Sequence, residues 1–304
     1  MADSNVLMPK DHLQRMLSVW RQDTGLVCSP PIGGAPQNLW AELECAFLNT
    51  YQARWQCFAD GIGLGFAQGK AMLWRRELLD LAGGIEVLGS EIAEDAAATK
   101  AIRALGLRVR LVAQPFMQPL GNRSSAEVWR RQLRWARLRR TTFKLFFIPE
   151  LFAGIIPPPT VAVTVVAGWS IVATVFPLVA AWYAAEAFLA YRAGWQLSRR
   201  SIPVWMLRDA LLPALWISAW VGNEFEWRGN PMSVAVATTD WYRTQRRRRS
   251  DTISDLNVDT TRSTRLLSRS TAIARTTPHT SIAGRRRSPR SPEPPTAAGR
   301  SVAP

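Results

Sequence analysis

Two pairs of oxygen-bearing side chains in this sequence have the residue types that metal binding and proton transfer require. Asp3 and Asn5 lie two positions apart, and their carboxylate and amide oxygens are ligands that hard divalent cations accept. Glu94 and Asp95 are adjacent, and one such carboxylate could act as a general base. Each pair also has a purely structural explanation, because the first suits a turn or helix cap and the second suits the positive end of a helix dipole.

A third cluster combines positive charge with an aromatic ring. Arg131 and Arg134 are three residues apart, so they share a face if the segment is helical, and Trp135 follows directly. Guanidinium groups bind phosphate oxygens in pairs, so these arginines could hold a diphosphate. The basic helix predicted over Val128 to Arg140 would equally suit an anchor at a membrane surface.

Histidine and cysteine usage excludes other kinds of site. The chain has two histidines, His12 and His279, and three cysteines without Cys-x-x-Cys spacing. Zinc sites and histidine-based catalytic triads are therefore excluded, and a disulfide framework is not expected. The N-terminal residues resemble neither a signal peptide nor a membrane anchor.

The elements that would position these clusters alternate between helices and strands over residues 1–143. This alternation predicts an α/β domain with a mostly parallel sheet. A glycine-rich connection at 61–69 leads into 71–84, which begins as either a strand or a helix. The predicted helices are Asp11 to Trp20, Leu39 to Gln56, Asp95 to Leu105 and Val128 to Arg140, and the predicted strands lie in Gly25 to Pro31 and Leu107 to Ala113.

A membrane region is predicted over residues 144–232. Leu151–Trp169 and Ile171–Tyr191 are each apolar and about 20 residues long, enough to cross a bilayer. Leu211–Val221 is shorter and is either a third span or an interfacial helix. Basic residues lie before and after the two longer apolar segments, which predicts a multi-pass protein with both of these flanks in the cytoplasm.

The net charge of +15 comes mainly from the C-terminal tail, predicted over 233–304. From Arg243 onward there are fourteen arginines and four acidic residues, or +10. This part is rich in Ser, Thr, Arg and Pro and is predicted to be disordered. Since the basic residues are mostly in this tail, the high isoelectric point does not indicate a nucleic-acid-binding protein.

Seven short stretches, taken in order over about residues 1–235, resemble the ceramide glucosyltransferase family of inverting glycosyltransferases. The bacterial form is the better match, because the first acidic motif reads Ala-Asp-Ser-Asn. The stretches are Asp3-Ser-Asn5, Gly25-Leu-Val27, Gly69-Lys70, Leu79-Asp-Leu-Ala-Gly-Gly84, Ile92-Ala-Glu-Asp95, Arg131-Gln-Leu-Arg134-Trp135 and Trp227-Arg-Gly229.

The resemblance implies a partial GT-A-type nucleotide-diphospho-sugar transferase domain, followed by transmembrane helices. It implies transfer of glucose, or another hexose, from a UDP-sugar such as UDP-glucose to the primary hydroxyl of ceramide, with inversion. The acceptor lipid and the bilayer would be partners, and the catalytic part would face the cytoplasm.

The resemblance also assigns roles to the clusters. Asp3, with Asn5, would hold Mg²⁺ or Mn²⁺ on the diphosphate, while Asp95 would be the base and Glu94 its neighbour or a helix-start acid. The pair Gly69-Lys70 would lie beside the donor sugar or the acceptor, unless it forms a plain turn. Arg131 and Arg134 would bind the leaving diphosphate. Trp135 would shape the acceptor site at the membrane face.

Members of the family begin with a membrane anchor and a strand with an earlier aspartate, and neither precedes Asp3 here. We therefore expect an N-terminally truncated chain with weak binding of nucleotide sugar and weak or no activity. Two alternatives stay open. One is a hopanoid-pathway lipid glycosyltransferase, which shares these motifs, and the other is a non-catalytic membrane remnant of such an enzyme.

Overall fold

The computed structural model describes residues 1–155, 159–160, 171–227 and 229–234. The chain divides into two units, Met1–Arg246 and Arg247–Pro304, and the described residues all lie in the first. The predicted span over Leu151–Trp169 and the predicted tail over 233–304 fall mostly outside the described residues.

The described part alternates helices and strands and then continues into two long apolar helices. The helices are α1 (His12–Ser18), α2 (Leu39–Ala46), α3 (Arg54–Gly61), α4 (Arg76–Leu81), α5 (Glu94–Ala104), α6 (Ser125–Thr142), α7 (Lys144–Phe147), α8 (Ile171–Arg192) and α9 (Ser201–Val221). A π-helical segment covers Phe47–Ala53, and 3₁₀ segments cover Ile85–Ser90 and Ile148–Phe152. The strands are β1 (Thr24–Cys28), β2 (Ile32–Pro36), β3 (Met72–Leu73), β4 (Arg108–Leu111), β5 (Met117–Gly121), β6 (Glu224–Trp227) and β7 (Asn230–Ser233).

Strand β1 is the centre of a three-stranded sheet in the order β3-β1-β4. All five of its residues are buried, as expected for a strand covered on both faces. It pairs in parallel with β4 and antiparallel with β3, while β2 and β5 form a separate parallel pair. Within the predicted domain over residues 1–143, two of the three strand pairings are therefore parallel, but they belong to two separate sheets and not to the single sheet that was predicted; β6 and β7 form an antiparallel pair outside it. Segment 71–84 contains both a strand and a helix.

Strands β2 and β5 were not predicted, because their sequences suggest turns. Strand β2 reads Ile-Gly-Gly-Ala-Pro, and β5 contains Pro119. The buried side chain of Asn49 holds β2 in place by accepting from Gly33 N at 2.8 Å and donating to Gly33 O at 3.0 Å. A Cβ at Gly33 would lie 2.9 Å from a methyl carbon of Leu120, so any larger residue would require neighbouring side chains to shift.

A continuous helical rod runs from Leu39 to Gly61 through α2, the π-helical segment and α3. The prediction over Leu39 to Gln56 is confirmed, and the structure extends it by five residues. Asn38 caps its start by accepting from Ala41 N at 3.0 Å. The side chains of its middle segment contact both the sheet and the apolar helices, so this rod joins the two parts of the described chain.

Helix α6 carries the predicted arginine cluster, and its start is fixed by a capping box. The Ser124 hydroxyl accepts from Glu127 N at 3.2 Å, and the Glu127 carboxylate accepts from Ser124 N at 2.7 Å. The prediction over Val128 to Arg140 is thereby confirmed and lengthened to Ser125–Thr142.

Two helices among the described residues are long and apolar enough to cross a membrane, at Ala173–Arg192 and Ser201–Val221. The first matches the prediction over Ile171–Tyr191. The predicted short helix Leu211–Val221 is wrong at its start, because α9 begins ten residues earlier. The added turns contain Arg208 and Asp209, two charges that interrupt the apolar run.

Arg208 and Asp209 do not end the helix, because both are buried in an ion network. Arg208 pairs with Glu186 of α8 and with Asp209, and donates to the Thr50 hydroxyl at 2.6 Å. Asp209 also accepts from Tyr183 at 3.1 Å and from Ile155 N at 3.2 Å. The network therefore ties both apolar helices to each other and to the π-helical segment.

Replacement of Arg208 by Met should be strongly destabilising, because it leaves two buried carboxylates without their shared cation. We expect a loss of about 3–5 kcal/mol in the free energy of unfolding, measured by thermal unfolding in detergent. Adding Glu186→Gln to the Arg208→Met variant should recover part of the lost stability, because it removes one of the unmatched carboxylates. Arg199→Met, at an exposed position, is the control, and an equal loss there would contradict the prediction.

Candidate active site

The predicted metal ligands lie at the edge of the three-stranded sheet, next to Lys70. Residues Met1 to Asp3 run antiparallel to the segment from Lys70 to Met72, with Asp3 N donating to Lys70 O at 2.9 Å. This pairing brings the Lys70 ammonium to 2.5 Å from Asp3 Oδ2 and 3.5 Å from Asn5 Oδ1. The two oxygens thus converge on one cationic position.

The predicted base lies on the other side of the same dipeptide. Gly69 N donates to Asp95 Oδ2 at 3.1 Å, and Ala96 N donates to Asp95 Oδ1 at 2.8 Å. A Cβ on Gly69 would lie 2.8 Å from Glu94 Oε1, so the absence of a side chain lets the acidic pair approach the backbone. Gly69-Lys70 is therefore more than a plain turn, since it contacts both acidic motifs.

Asp95 has a carboxylate with an unusual proton affinity. The pKa of Asp95 is raised to about 6, chiefly by burial and also by the negative charge of Glu94, while the hydrogen bonds from Ala96 and Gly69 act in the opposite direction. A carboxylate with a pKa near working pH can accept a proton and release it again. Its place at the start of α5 also confirms Glu94-Asp95 as helix-start acids.

Arg131 is held by a buried carboxylate that sequence reasoning missed. Its guanidinium lies 2.6 Å from Glu44 Oε1 and donates to Gln118 Oε1 at 3.1 Å, and Arg123 approaches Glu44 Oε2 at 3.4 Å. Glu44 is only 1% exposed. The sequence signal that could have revealed Glu44 is its position: it is a charged residue next to Leu43, on the apolar side of α2.

Arg134 and Trp135 complete the cluster in different ways. Within the described part of the chain, Arg134 makes no hydrogen bond or ion pair, so its guanidinium is available to a ligand. The ring of Trp135 lies under Arg131, 4.7 Å from its guanidinium carbon, and packs on the core beneath α2. The tryptophan thus orients Arg131.

The three clusters meet at Lys70. Burial lowers the pKa of Lys70, the positive charges of Arg131 and Arg134 lower it further, and Asp3 acts in the opposite direction. The carboxylate of Asp3 likewise acts on Arg131. Asp3 and the two arginines of α6 therefore lie within electrostatic reach of Lys70.

The oxygen donors suit a hard cation that is shared with a phosphate ligand. Among the described residues there is no group of three or more His, Cys, Asp or Glu side chains that could enclose a metal ion. Mg²⁺ sites commonly use one or two carboxylates, and substrate phosphates and water fill the remaining positions. Asp3 and Asn5, converging on one cationic point, fit that pattern.

A mixed α/β domain with this site, followed by apolar helices, indicates the class of membrane-associated glycosyl transferases. The sequence pattern of glycosyl transferase family 21 matches residues 1–240, and the chain belongs to this family. It is also 25% identical over 140 residues to ceramide glucosyltransferase 1 of Caenorhabditis elegans. The alignment covers 45% of this chain and 30% of the worm protein, so the chain spans less than a third of that relative.

Glu44→Gln should destabilise the protein, because it leaves Arg131 and Arg123 close together without their shared anion. We expect a loss of about 3 kcal/mol in the free energy of unfolding, measured by thermal or denaturant unfolding. The control is Glu77→Gln, at an exposed position in α4. Equal stability of the two variants would show that Glu44 does not neutralise the arginines.

Proposed function

We propose that this protein transfers a hexose, glucose in the first instance, from a UDP-sugar to the primary hydroxyl of ceramide, with inversion and on a GT-A-type domain. The observation that carries the proposal is the contact of Gly69-Lys70 with both acidic motifs. Through this dipeptide the oxygens of Asp3 and Asn5 and the carboxylate of Asp95 face one reaction space. Membership of the family and the worm relative support the choice of lipid and sugar.

Asp95 is the residue that takes the proton. An inverting transfer needs one carboxylate to accept the proton of the acceptor hydroxyl as its oxygen attacks the anomeric carbon. The bonds from Gly69 N and Ala96 N fix the orientation of the carboxylate, and its raised pKa makes it a stronger base than an exposed aspartate. Glu94 contributes by its charge, which keeps that pKa high.

Arg134 and Arg131 stabilise the departing diphosphate. Negative charge develops on the leaving oxygens, and fixed cations lower the energy of that state without reorganisation. Arg131 is already neutralised in part by Glu44 and held by Trp135, so it acts as a fixed element. Among the described residues no anion is in direct contact with Arg134, so it would make the closer bond to phosphate.

Asp3 and Asn5 would hold Mg²⁺ or Mn²⁺ at the diphosphate. When bound, such an ion supplies positive charge that neutralises the phosphate oxygens as the bond to the sugar breaks. Asp3 is placed for this by the backbone pairing of residues 1–3 with β3, which fixes the direction of its side chain. Lys70 would then contact the same group of phosphates.

The acceptor would reach the site from the membrane side of α6. Helix α6 carries Arg131 and Arg134 towards the sheet, and its opposite side, at Leu133 and Ala136, packs on α9 around Ala219. Beyond α6, the segment after Thr142 exposes large apolar side chains at Leu145, Phe146 and Phe152, which suit the acyl boundary of a bilayer. We infer a multi-pass protein with its catalytic part on the cytoplasmic side.

The direct test is sugar transfer in membranes that contain the expressed chain. Fluorescent ceramide and UDP-glucose, UDP-galactose or UDP-glucuronate are supplied, and products are separated by chromatography. A version with any natural upstream sequence is assayed in parallel, with Asp95→Asn as the control in both. Product that depends on Asp95 supports the proposal. If no UDP-sugar gives a ceramide product in either version, the ceramide assignment is wrong and hopanoid acceptors are tested next.

Gly69→Ala should impair transfer while the fold is kept. The added methyl would lie 2.8 Å from Glu94 Oε1 and 4.0 Å from Asp95 Oδ2, so the Glu94 side chain must shift beside the proposed base. A displacement of about 1 Å near the reacting groups can cost roughly 10²-fold in rate. We expect kcat/KM to fall at least about tenfold. Gly89→Ala is the matched control, because nothing lies within 4 Å of its added Cβ. Equal activity of the two variants would contradict the prediction.

The rate should depend on the protonation of Asp95. Its folded-state pKa is raised to about 6, and only the deprotonated form can accept a proton. We therefore expect kcat/KM to fall tenfold per pH unit below about 6 and to level off above it. The same raised pKa means that this carboxyl contributes less stability as the pH rises through that value. A profile that stays flat down to pH 4.5 would exclude Asp95 as the base.

A further inference from the structure

Lys70 occupies the point on which the candidate metal ligands converge. It is a nearly buried lysine, 8% exposed, with its ammonium against Asp3 and Asn5 and with two guanidinium groups of α6 in its electrostatic surroundings. An ordinary lysine extends to water, where its charge is best solvated. Lys70 instead supplies positive charge to the oxygens of Asp3 and Asn5 from within the protein.

An ammonium and a divalent ion cannot share this position. The ammonium nitrogen lies between the two oxygens, 2.5 Å from Asp3 Oδ2 and 3.5 Å from Asn5 Oδ1, and an ion held by both oxygens would need that same position. The two cations would overlap sterically and repel each other strongly. Binding of the ion therefore requires the ammonium to leave.

The direction in which Lys70 can move is set by its surroundings. Its four-carbon stem is flexible, while its backbone is fixed through the bonds of Gly69 N to Asp95 and of Lys70 O to Asp3 N. The head can rotate towards Arg131 and Arg134 only if an anion lies between the three cations. The diphosphate of the donor is such an anion.

We propose that Lys70 is an internal cation that competes with the divalent ion for Asp3 and Asn5 and is transferred to the donor diphosphate when nucleotide binds. This inference rests on the proposed function. It makes Lys70 a positioning residue with two alternative partners. Ion and nucleotide should then bind cooperatively, because the diphosphate removes the ammonium from the position that the ion takes.

The test measures Mn²⁺ and UDP binding separately, with no acceptor and no turnover. Purified protein in detergent is titrated with Mn²⁺, free ion is followed by electron paramagnetic resonance, and UDP affinity is measured by calorimetry. Lys70→Gln removes the competing charge, and Lys70→Arg retains it. Lys10→Gln, an exposed lysine, is the matched control, and thermal unfolding verifies that each variant is folded.

We expect opposite effects on the two ligands. Lys70→Gln should bind Mn²⁺ alone about tenfold more tightly than the unmodified protein and bind UDP more weakly. Lys70→Arg should bind Mn²⁺ as weakly as the unmodified protein does. Adding Asp3→Asn to the Lys70→Gln variant should abolish its gain in Mn²⁺ affinity. A lysine with only a structural role would weaken both ligands together.

The inference is overturned if Lys70→Gln binds Mn²⁺ no more tightly than the unmodified protein, or if the gain survives Asp3→Asn. These outcomes are separate from failure of the proposed function. If Lys70→Gln binds Mn²⁺ more tightly and UDP more weakly but no ceramide product forms, the inference about Lys70 stands and the acceptor assignment fails. If ceramide product forms but Lys70→Gln leaves Mn²⁺ binding unchanged, the proposed function stands and the inference about Lys70 fails.

Discussion

A charge removed from water must be matched by an opposite charge or by hydrogen bonds, and the described part of this protein depends on that constraint at three places. Glu44 neutralises Arg131 and Arg123, Asp3 neutralises Lys70, and Glu186 with Asp209 neutralises Arg208. Each set includes at least one partner from a different segment of the chain, with Glu186 of α8 joining Arg208 and its neighbour Asp209 in the third. Since an unmatched buried charge costs several kcal/mol, each set fixes the relative position of the segments that supply it.

The sets around Glu44 and around Asp3 contain the residues proposed to bind the substrate, and the signs of their charges matter for that role. Asp3 at the sheet edge lies within electrostatic reach of Arg131 of α6, so the proposed site offers charges of both signs, as binding of a cation together with a diphosphate would need. Neither kind of charge is fully satisfied within the protein: Arg134 has no ion-pair partner among the described residues, and burial raises the pKa of Asp95 to about 6. Incomplete pairing is what a substrate-binding site requires, because fully matched charges would have no affinity left for ligand.

Helix α6 and the rod from Leu39 to Gly61 connect this site with the apolar helices. Gln52 of the rod donates to Gln132 of α6 at 2.9 Å, and Thr50, one turn away from Ala46, accepts from Arg208 of α9. The same short π-helical segment therefore contacts the strand pair through Asn49, the arginine helix through Gln52, and the apolar helices through Thr50. Its irregular winding lets adjacent polar side chains point to three neighbours, which a regular α-helix would place differently around its axis.

Sequence alone determined the α/β alternation over residues 1–143, the basic helix that carries Arg131 and Arg134, and the residue types of the two acidic motifs. Those features depend on local periodicity, capping and residue chemistry, which are written in neighbouring residues. Three features could not be predicted: strands β2 and β5, the true start of α9, and the role of Glu44. Each is decided by a partner distant in the chain, namely Asn49 for Gly33, Glu186 for Arg208, and Arg131 for Glu44. The same is true of the central feature of the site, since only the folding of residues 1–3 onto β3 and of Gly69 onto α5 brings Asp3 and Asp95 to the two sides of Lys70.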